Sequence, residues 1–219
     1  MLITLFEDDS ILAIDKPSGL PSNSLVNSTE SCESRLKAER PSESLLLVHR
    51  LDTGTSGVLI FAKNEAAFNG MREQFRLKNI QKHYIAWSEK TAERTALLPA
   101  LKLPFRIDSP LAHHAKSKKK MIVVGPNDRH FRGKPIPALS IIHEISEDLF
   151  LGVPTYRFDL EIVTGVMHQI RVHLSSLGFP LIGDTTYDKK KSAREVRLGL
   201  HARKINFNLN GFRYELESP

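Results

Sequence analysis

The chain carries the stretch His-Arg-Leu-Asp-Thr-Gly-Thr-Ser-Gly at residues 49–57, between two apolar runs. Residues 45–48 and 58–62 are short and rich in branched side chains, a pattern that predicts two buried strands. The glycines, threonines and serine between them predict a loop. Asp52 is therefore expected on a loop anchored by two buried strands, a common place for reacting groups. For Asp52 alone, an aspartate that bonds its own turn is the alternative interpretation.

The rest of the chain mixes predicted strands and helices without a regular strand–helix–strand repeat, so the expected fold class is α+β. Asn64 is a predicted N-cap of a helix over residues 65–78, where Phe68, Met71 and Phe75 form a core-facing stripe. The other predicted elements are an edge hairpin over 1–16, a polar loop over 22–44 with a helical turn or two near 33–40, strands over 82–88 and 156–163, an excursion of loops and short strands over 99–137, and a helix over 167–177 that Gly178 ends.

Composition excludes several classes of protein. Cys32 is the only cysteine, which rules out an internal disulfide and a multi-cysteine metal site and fits a reducing compartment. Acidic residues in the first ten positions argue against a secretory signal. The longest apolar runs hold four or five residues, too few for a membrane span. A cytoplasmic protein without a membrane partner is therefore expected.

Basic residues exceed acidic ones by 31 to 25, a net charge of +6. This balance favours a polyanionic partner, and the clustering of the charges strengthens that prediction. Each cluster could also be an ordinary solvated surface. The clusters are Lys116, Lys118, Lys119 and Lys120; Arg129, Arg132 and Lys134; and Lys189, Lys190, Lys191, Arg194, Arg197, Arg203 and Lys204.

The stretch at 49–57 resembles the catalytic loop of the RluA-type pseudouridine synthases. Further elements of that family match in the expected order: Ile-Asp-Lys-Pro-Ser-Gly-Leu at 14–20, Lys-His-Tyr at 82–84, His-Gln-Ile-Arg-Val-His at 168–173, residues 178–184 with Tyr187, and Leu-His-Ala at 200–202. Val166 departs from the family, which usually has arginine there. Only thirteen residues precede Ile14, so we expect one catalytic domain over residues 1–219 without the small N-terminal RNA-binding domain of many relatives.

The resemblance implies the pseudouridine synthase fold, with a mixed, mainly antiparallel central sheet, flanking helices and a central active-site cleft. It also implies an enzyme that isomerises uridine to pseudouridine in ribosomal or transfer RNA. By this resemblance Asp52 is the expected nucleophile, Tyr84 stacks on the uracil and transfers a proton, and Arg171 pairs with Asp52. The reaction changes no redox state and loses no group, so no cofactor is expected.

A uridine within folded RNA must be flipped out before an enzyme can act on it. Arg50 matches the family arginine associated with the flipped nucleotide. The remaining expected substrate-binding residues are His49, which could instead only hold the loop, His168 and Gln169, and Lys118, Lys119 and Lys120 as phosphate contacts. A monomer is expected.

Two other functions compete with this one. His168 and His173 are five apart and His113 and His114 are adjacent, and neither pair has the spacing of a helical zinc site, so no metal is expected. A non-catalytic RNA-binding protein that kept the fold remains the alternative, since basic clusters alone do not exclude it.

Overall fold

The computed structural model describes residues 1–24, 30–188 and 196–219. Within those residues no helix is long and apolar enough to cross a membrane. The helices are α1 Cys32–Glu39, α2 Glu65–Arg76, α3 Ala92–Leu97 and α4 Gln169–Ser176, with a 3-10 turn at Leu98–Ala100. The strands are β1 Ile3–Glu7, β2 Ile11–Lys16, β3 Leu46–Leu47, β4 Ser56–Ala62, β5 Gln81–Glu89, β6 Phe105–Asp108, β7 Leu111–His114, β8 Met121–Val123, β9 Phe131–Ile136, β10 Leu139–Phe150, β11 Val153–Ile162, β12 Leu200–Leu209 and β13 Phe212–Glu217.

The chain divides into two compact units. The first contains Met1–His83 and His201–Pro219, and the second contains Tyr84–Leu200. Mixed strands and helices in both units confirm the α+β class. The third basic cluster lies partly outside the described residues, at Lys189, Lys190, Lys191 and Arg194. The single catalytic domain over 1–219 stays a prediction.

The first unit is built on a sheet in which β1, β2, β4 and β12 are successive neighbours, with β3 beside β4 and β13 beside β12. The β4–β12 pair is parallel, while β1–β2, β2–β4, β3–β4 and β12–β13 are antiparallel. Asn64 caps α2 by accepting a hydrogen bond from the backbone N–H of Ala67, as the sequence predicts. Met71 of α2 is fully buried, and Phe68 and Phe75 pack on the same core, which confirms the predicted stripe.

The second unit contains two sheets. Most of β5 lies in this unit next to β11, which is followed by β10 and β6, and the long β10–β11 pair is antiparallel. A smaller antiparallel sheet has the order β8-β7-β9 and corresponds to the excursion predicted over 99–137. Ile170 and Leu174 of α4 belong to the core of this unit together with Phe158 and Phe179.

Two predicted boundaries are wrong for identifiable reasons. The helix predicted from residue 167 begins at Gln169, because His168 has a φ of 56° in the left-handed region and cannot continue a right-handed helix. Ser56 and Gly57 were expected in the loop, but β4 already includes them, because they pair with His201 and Ala202 of β12.

Gly57 is required by this pairing. Its φ is 112°, and a Cβ atom built on it would lie 2.2 Å from the carbonyl oxygen of Ala202. Beside it, the Ser56 hydroxyl lies 2.9 Å from Nδ1 of the buried His201, whose Nε2 faces the carbonyl oxygen of Ser218. The Thr-Ser-Gly and Leu-His-Ala motifs therefore meet each other in the first unit, although they are distant in sequence.

We expect Gly57→Ala to lower the free energy of unfolding by about 3 kcal/mol or more, because strand β12 must move away from the new methyl group. Gly211→Ala is the matched control, since Gly211 also has a positive φ of 82° but no atom near its Cβ position. The control should lose only about 1–2 kcal/mol from backbone strain. Urea unfolding of both variants measures the difference, and equal losses would mean that contact with Ala202 does not impose the glycine.

Candidate active site

Asp52 lies half-buried on the loop between β3 and β4, as the sequence predicts. Four consecutive backbone carbonyl oxygens of this loop, from Leu51 to Gly54, accept hydrogen bonds. The carbonyl oxygen of Asp52 accepts from the N–H of Thr55 at 3.0 Å, which closes a turn. This backbone turn fixes the point of the chain from which the carboxylate extends, and the alternative, in which the side chain bonds its own turn, stays untested.

The other three carbonyl oxygens accept from residues 16–22, which follow strand β2. Ser22 Oγ donates to Leu51 O at 2.8 Å and accepts from Leu51 N at 3.0 Å. Thr53 O accepts from Gly19 N at 2.8 Å, and Gly54 O accepts from Ser18 Oγ at 2.6 Å. The lysine-proline element is thus the support on which the Asp52 loop rests.

Lys16 completes this support from the interior of the unit. It is fully buried, and its ammonium group donates to Pro17 O at 2.9 Å and to Thr53 O at 3.1 Å. Burial lowers the pKa of Lys16 to about 8, while the Cys32 thiol and the Asp52 carboxylate oppose that shift. A cation that interacts with Asp52 therefore lies at the base of the loop. No separate role is predicted for Lys16 from the sequence, although a lysine that ends an apolar strand before Pro17 is the available signal.

His49 is held within the first unit. Its Nε2 accepts a hydrogen bond from the N–H of Ile60 at 3.3 Å, and its ring lies 5.4 Å from that of Phe75. Burial, aided by the positive charge of Lys82, lowers the pKa of His49 to about 4. A neutral imidazole that accepts from strand β4 holds the loop, while its contact with RNA stays a prediction. Arg50, its neighbour, is exposed and available for such contact.

Arg171 lies on α4 in the second unit and forms a bidentate ion pair with Asp184. Its Nε lies 2.7 Å from Oδ2 and its terminal nitrogen 2.8 Å from Oδ1. The Asp184 side chain is completely buried and also accepts from the N–H groups of Thr186 and Tyr187 at Oδ1. In the sequence, Asp184 stands out only as part of the motif at residues 178–184, and the pattern does not indicate its burial. The expected pairing of Arg171 with Asp52 concerns residues of different units and stays a prediction.

The residues next to Arg171 in the motif serve the local structure. Gln169 is buried, and its amide nitrogen donates to Leu139 O and Ser140 Oγ. Its amide oxygen accepts from Thr164 Oγ1 and Val166 N. With these four bonds made inside the protein, Gln169 shapes the turn that leads into α4, and its expected contact with RNA stays untested. Val166 packs on the small core around Tyr187 and Val172.

The histidines of this motif are also engaged. Nδ1 of His168 lies 2.9 Å from the hydroxyl of Tyr187. His173 is fully buried, with Ser140 Oγ at its Nδ1 and Ser109 O at its Nε2, and burial lowers its pKa. Within residues 1–24, 30–188 and 196–219, no group of three histidine, cysteine or acidic side chains is arranged to hold a metal ion.

The predicted site residues fall into two groups. The first unit carries His49, Arg50 and Asp52, and the second carries Tyr84, Lys118, Lys119, Lys120, His168, Gln169 and Arg171. Tyr84 is half-buried on β5 and packs beside the core of the second unit. Its roles in stacking and proton transfer stay predictions. Lys118 and Lys119 are exposed on the turn between β7 and β8.

The Arg171–Asp184 pair predicts a strong coupling in stability. Arg171→Ala should lower the free energy of unfolding by about 3–5 kcal/mol, because a fully buried carboxylate loses its guanidinium partner. Arg171→Ala combined with Asp184→Asn should recover part of this loss, since the unpaired charge is gone. Urea unfolding of the wild type, both single variants and the double variant measures the coupling. Strictly additive losses would contradict an energetically important pair.

The lowered pKa of His49 predicts a pH-dependent stability. The native histidine stays neutral down to about pH 4, whereas an unfolded histidine, with an ordinary pKa near 6.5, takes up a proton earlier. The unfolded state then binds more protons, so stability present above pH 6.5 is lost as the pH falls towards 4, by about 1–3 kcal/mol. His49→Gln keeps an acceptor for Ile60 but does not titrate, and unfolding is compared between pH 4 and 7. Parallel stability curves for the two proteins would refute the assignment.

Known proteins resemble this chain in sequence. The family model for RNA pseudouridylate synthase matches residues 10–176. The dual-specificity RNA pseudouridine synthase RluA of Vibrio parahaemolyticus is 35% identical over 210 residues, covering 93% of this chain and 76% of the relative. RluA of Escherichia coli K12 is 34% identical over 206 residues, covering 92% and 84%.

The fold has a solved counterpart as well. The structure of human RNA Pseudouridylate Synthase Domain Containing 1 aligns with this chain with a TM-score of 0.83 and 23% sequence identity. The alignment covers all of this chain and 83% of the human chain. This likeness confirms the expected fold, and the family model together with the RluA relatives gives the family. The chain belongs to the RNA pseudouridylate synthase family, the enzymes that isomerise uridine to pseudouridine in RNA.

Proposed function

We propose that this chain converts uridine to pseudouridine in structured ribosomal or transfer RNA, with Asp52 as the nucleophile. The observation that carries this proposal is the support of the Asp52 loop, whose carbonyl oxygens from Leu51 to Gly54 are all bonded within the protein. A carboxylate that must react at one atom of a large substrate needs such a fixed attachment. Relatives named dual-specificity RNA pseudouridine synthases support a substrate range that includes more than one kind of RNA.

The reaction breaks the bond between ribose C1′ and uracil N1 and forms one between C1′ and C5. The uracil turns within the site, and the hydrogen on C5 leaves as a proton, while N1 gains one. Asp52 supplies the nucleophile for this exchange, and Tyr84 stacks on the detached base and accepts or donates the proton. Arg171 stabilises the carboxylate in its ionised form. Atoms and electrons balance without a co-reactant, and the proposal includes neither cofactor nor metal.

In addition to Arg171, the ammonium group of Lys16 supplies a positive charge that interacts with Asp52. Because the side chain is buried and donates to Thr53 O, it fixes the backbone directly after Asp52. Its positive charge favours the ionised carboxylate. Lys16 thus acts as a positioning residue for the nucleophile.

RNA binds through the small sheet β8-β7-β9 of the second unit. Lys116, Lys118 and Lys119 on its turn and Arg132 and Lys134 on β9 are exposed. Among the described residues, no carboxylate forms an ion pair with these five cations. In contrast, Arg203 and Lys204 of the third basic cluster pair with Glu217 and Glu215 on β13. Cations without a carboxylate partner are the ones best able to take up phosphate groups.

Extrusion of the target uridine accompanies this binding. Arg50, exposed two residues before Asp52, contacts the flipped nucleotide. His168, half-buried at the start of α4, and the Lys118–Lys120 turn contact the surrounding RNA. A monomeric, cytoplasmic enzyme fits the composition of the chain.

Asp52→Asn tests the assignment of the nucleophile. We expect no detectable pseudouridine from this variant, while its RNA affinity and unfolding stay close to those of the wild type, because only one charge is removed. Release of tritium from RNA labelled at uracil C5 measures turnover on unmodified ribosomal and transfer RNA transcripts, and filter binding measures affinity.

Asp9→Asn is the matched control, since Asp9 is exposed on the β1–β2 turn of the same unit and undergoes the same chemical change. It should retain full turnover. Turnover by Asp52→Asn at a rate near that of the control would remove Asp52 from the mechanism. RNA binding without turnover by the wild type would favour the non-catalytic alternative.

A further inference from the structure

Tyr187 lies between Arg171 and the lysine-rich turn of residues 115–120, which we call the basic turn. Nζ of Lys120 is 5.6 Å from the centroid of its ring, and the guanidinium carbon of Arg171 is 5.2 Å from it. The ring is buried among apolar side chains that include Met121 and Val172. A flat aromatic ring attracts cations through its electron-rich faces, so one side chain contacts a cation of the proposed RNA surface and a cation of the proposed catalytic site.

The hydroxyl group of Tyr187 extends this link. It accepts a hydrogen bond from the N–H of Met121 at 2.8 Å, and Met121 directly follows Lys120. The same oxygen is hydrogen-bonded to Nδ1 of His168, 2.9 Å away. The end of the basic turn and the residue that precedes α4 are therefore bonded to the same oxygen atom.

The backbone of Tyr187 closes the set of contacts. Its N–H donates to Oδ1 of Asp184, the carboxylate that binds Arg171. Its carbonyl oxygen accepts from Ser175 Oγ on α4 at 3.3 Å. A displacement of the basic turn would therefore move the Tyr187 hydroxyl. The ring of Tyr187 contacts Arg171 and its N–H donates to Asp184, so both residues of the ion pair are linked to the turn.

We propose that Tyr187 is a positioning residue that couples phosphate binding at the turn of residues 115–120 to the placement of Arg171, a role that rests on the function proposed above. RNA phosphates at Lys118 and Lys119 fix the turn. Lys120 and Met121 then hold the phenol ring, and the ring and the N–H of Tyr187 hold Arg171 and Asp184 in place. Binding of the correct RNA thereby contributes to the rate of the reaction as well as to affinity.

Single-turnover kinetics with saturating RNA test this coupling, with tritium release from uracil C5 as the signal. A variant that is only less stable lowers the amplitude, because fewer molecules are folded, whereas a displaced arginine lowers the rate constant. Tyr187→Phe should lower the rate constant about tenfold, the order expected for one lost positioning hydrogen bond. Lys120→Met should lower it about threefold.

Tyr156→Phe is the matched control within the same unit. The Tyr156 hydroxyl lies 2.6 Å from Thr95 Oγ1, and Lys90 lies over its ring at 5.9 Å, so the chemical change and the surroundings are alike. This control should keep the wild-type rate constant. A rate constant for Tyr187→Phe equal to that of the control would overturn the proposal, even if both variants lost stability.

A double variant, Tyr187→Leu with Lys120→Met, tests whether the effect of Lys120 on the rate constant depends on the Tyr187 ring. In a Tyr187→Leu background, Lys120→Met should have no further effect on the rate constant, and independent, multiplicative effects would overturn the proposal. If Tyr187→Leu does not fold, the comparison of Tyr187→Phe with Tyr156→Phe decides. Absence of tritium release from the wild type would instead refute the proposed function, so the two failures are distinguishable.

Discussion

Four successive carbonyl oxygens, from Leu51 to Gly54, accept hydrogen bonds, and the position of the Asp52 carboxylate depends on them. A loop without such bonds would sample many backbone conformations, each of which would move the carboxylate by more than the tolerance of a reacting atom. With the backbone held, only the two torsions of a short side chain remain variable. Forming this support costs little conformational entropy, because three of the four carbonyl oxygens are bonded by the segment that directly follows β2.

The two units solve the problem of a buried charge differently. Lys16 has carbonyl oxygens at its ammonium group, and these dipoles compensate lost hydration only in part, so that its pKa falls. Asp184 has a guanidinium group in a bidentate geometry together with two backbone N–H donors. The arrangement around Lys16 leaves the lysine with a pKa of about 8. The Asp184–Arg171 pair instead holds Arg171, and with it α4, in one orientation.

Local patterns were sufficient to predict most of the fold. The hairpin of β1 and β2, the apolar run of β4, the Asn64 cap and the stripe of α2 all follow from local sequence patterns. The burial of Lys16 and Asp184 was not predictable, because both residue types are usually exposed and their partners are distant in sequence. Local patterns also could not reveal the left-handed backbone at His168. The grouping of Asp52, Tyr84 and Arg171 came from the family resemblance and not from any local pattern.

The contact between β4 and β12 has a consequence for how the protein is made. The Ser56–His201 hydrogen bond joins residues that are 145 positions apart, and the parallel pairing at Gly57 uses the same late strand. During synthesis, β4 has its antiparallel partners β2 and β3 from the start, whereas its parallel pairing with β12 waits for almost the entire chain. A nascent chain that already displays the turn of residues 115–120 has not yet completed the sheet behind the Asp52 loop. Under the proposed function, RNA can therefore bind during translation before the chain is able to modify it.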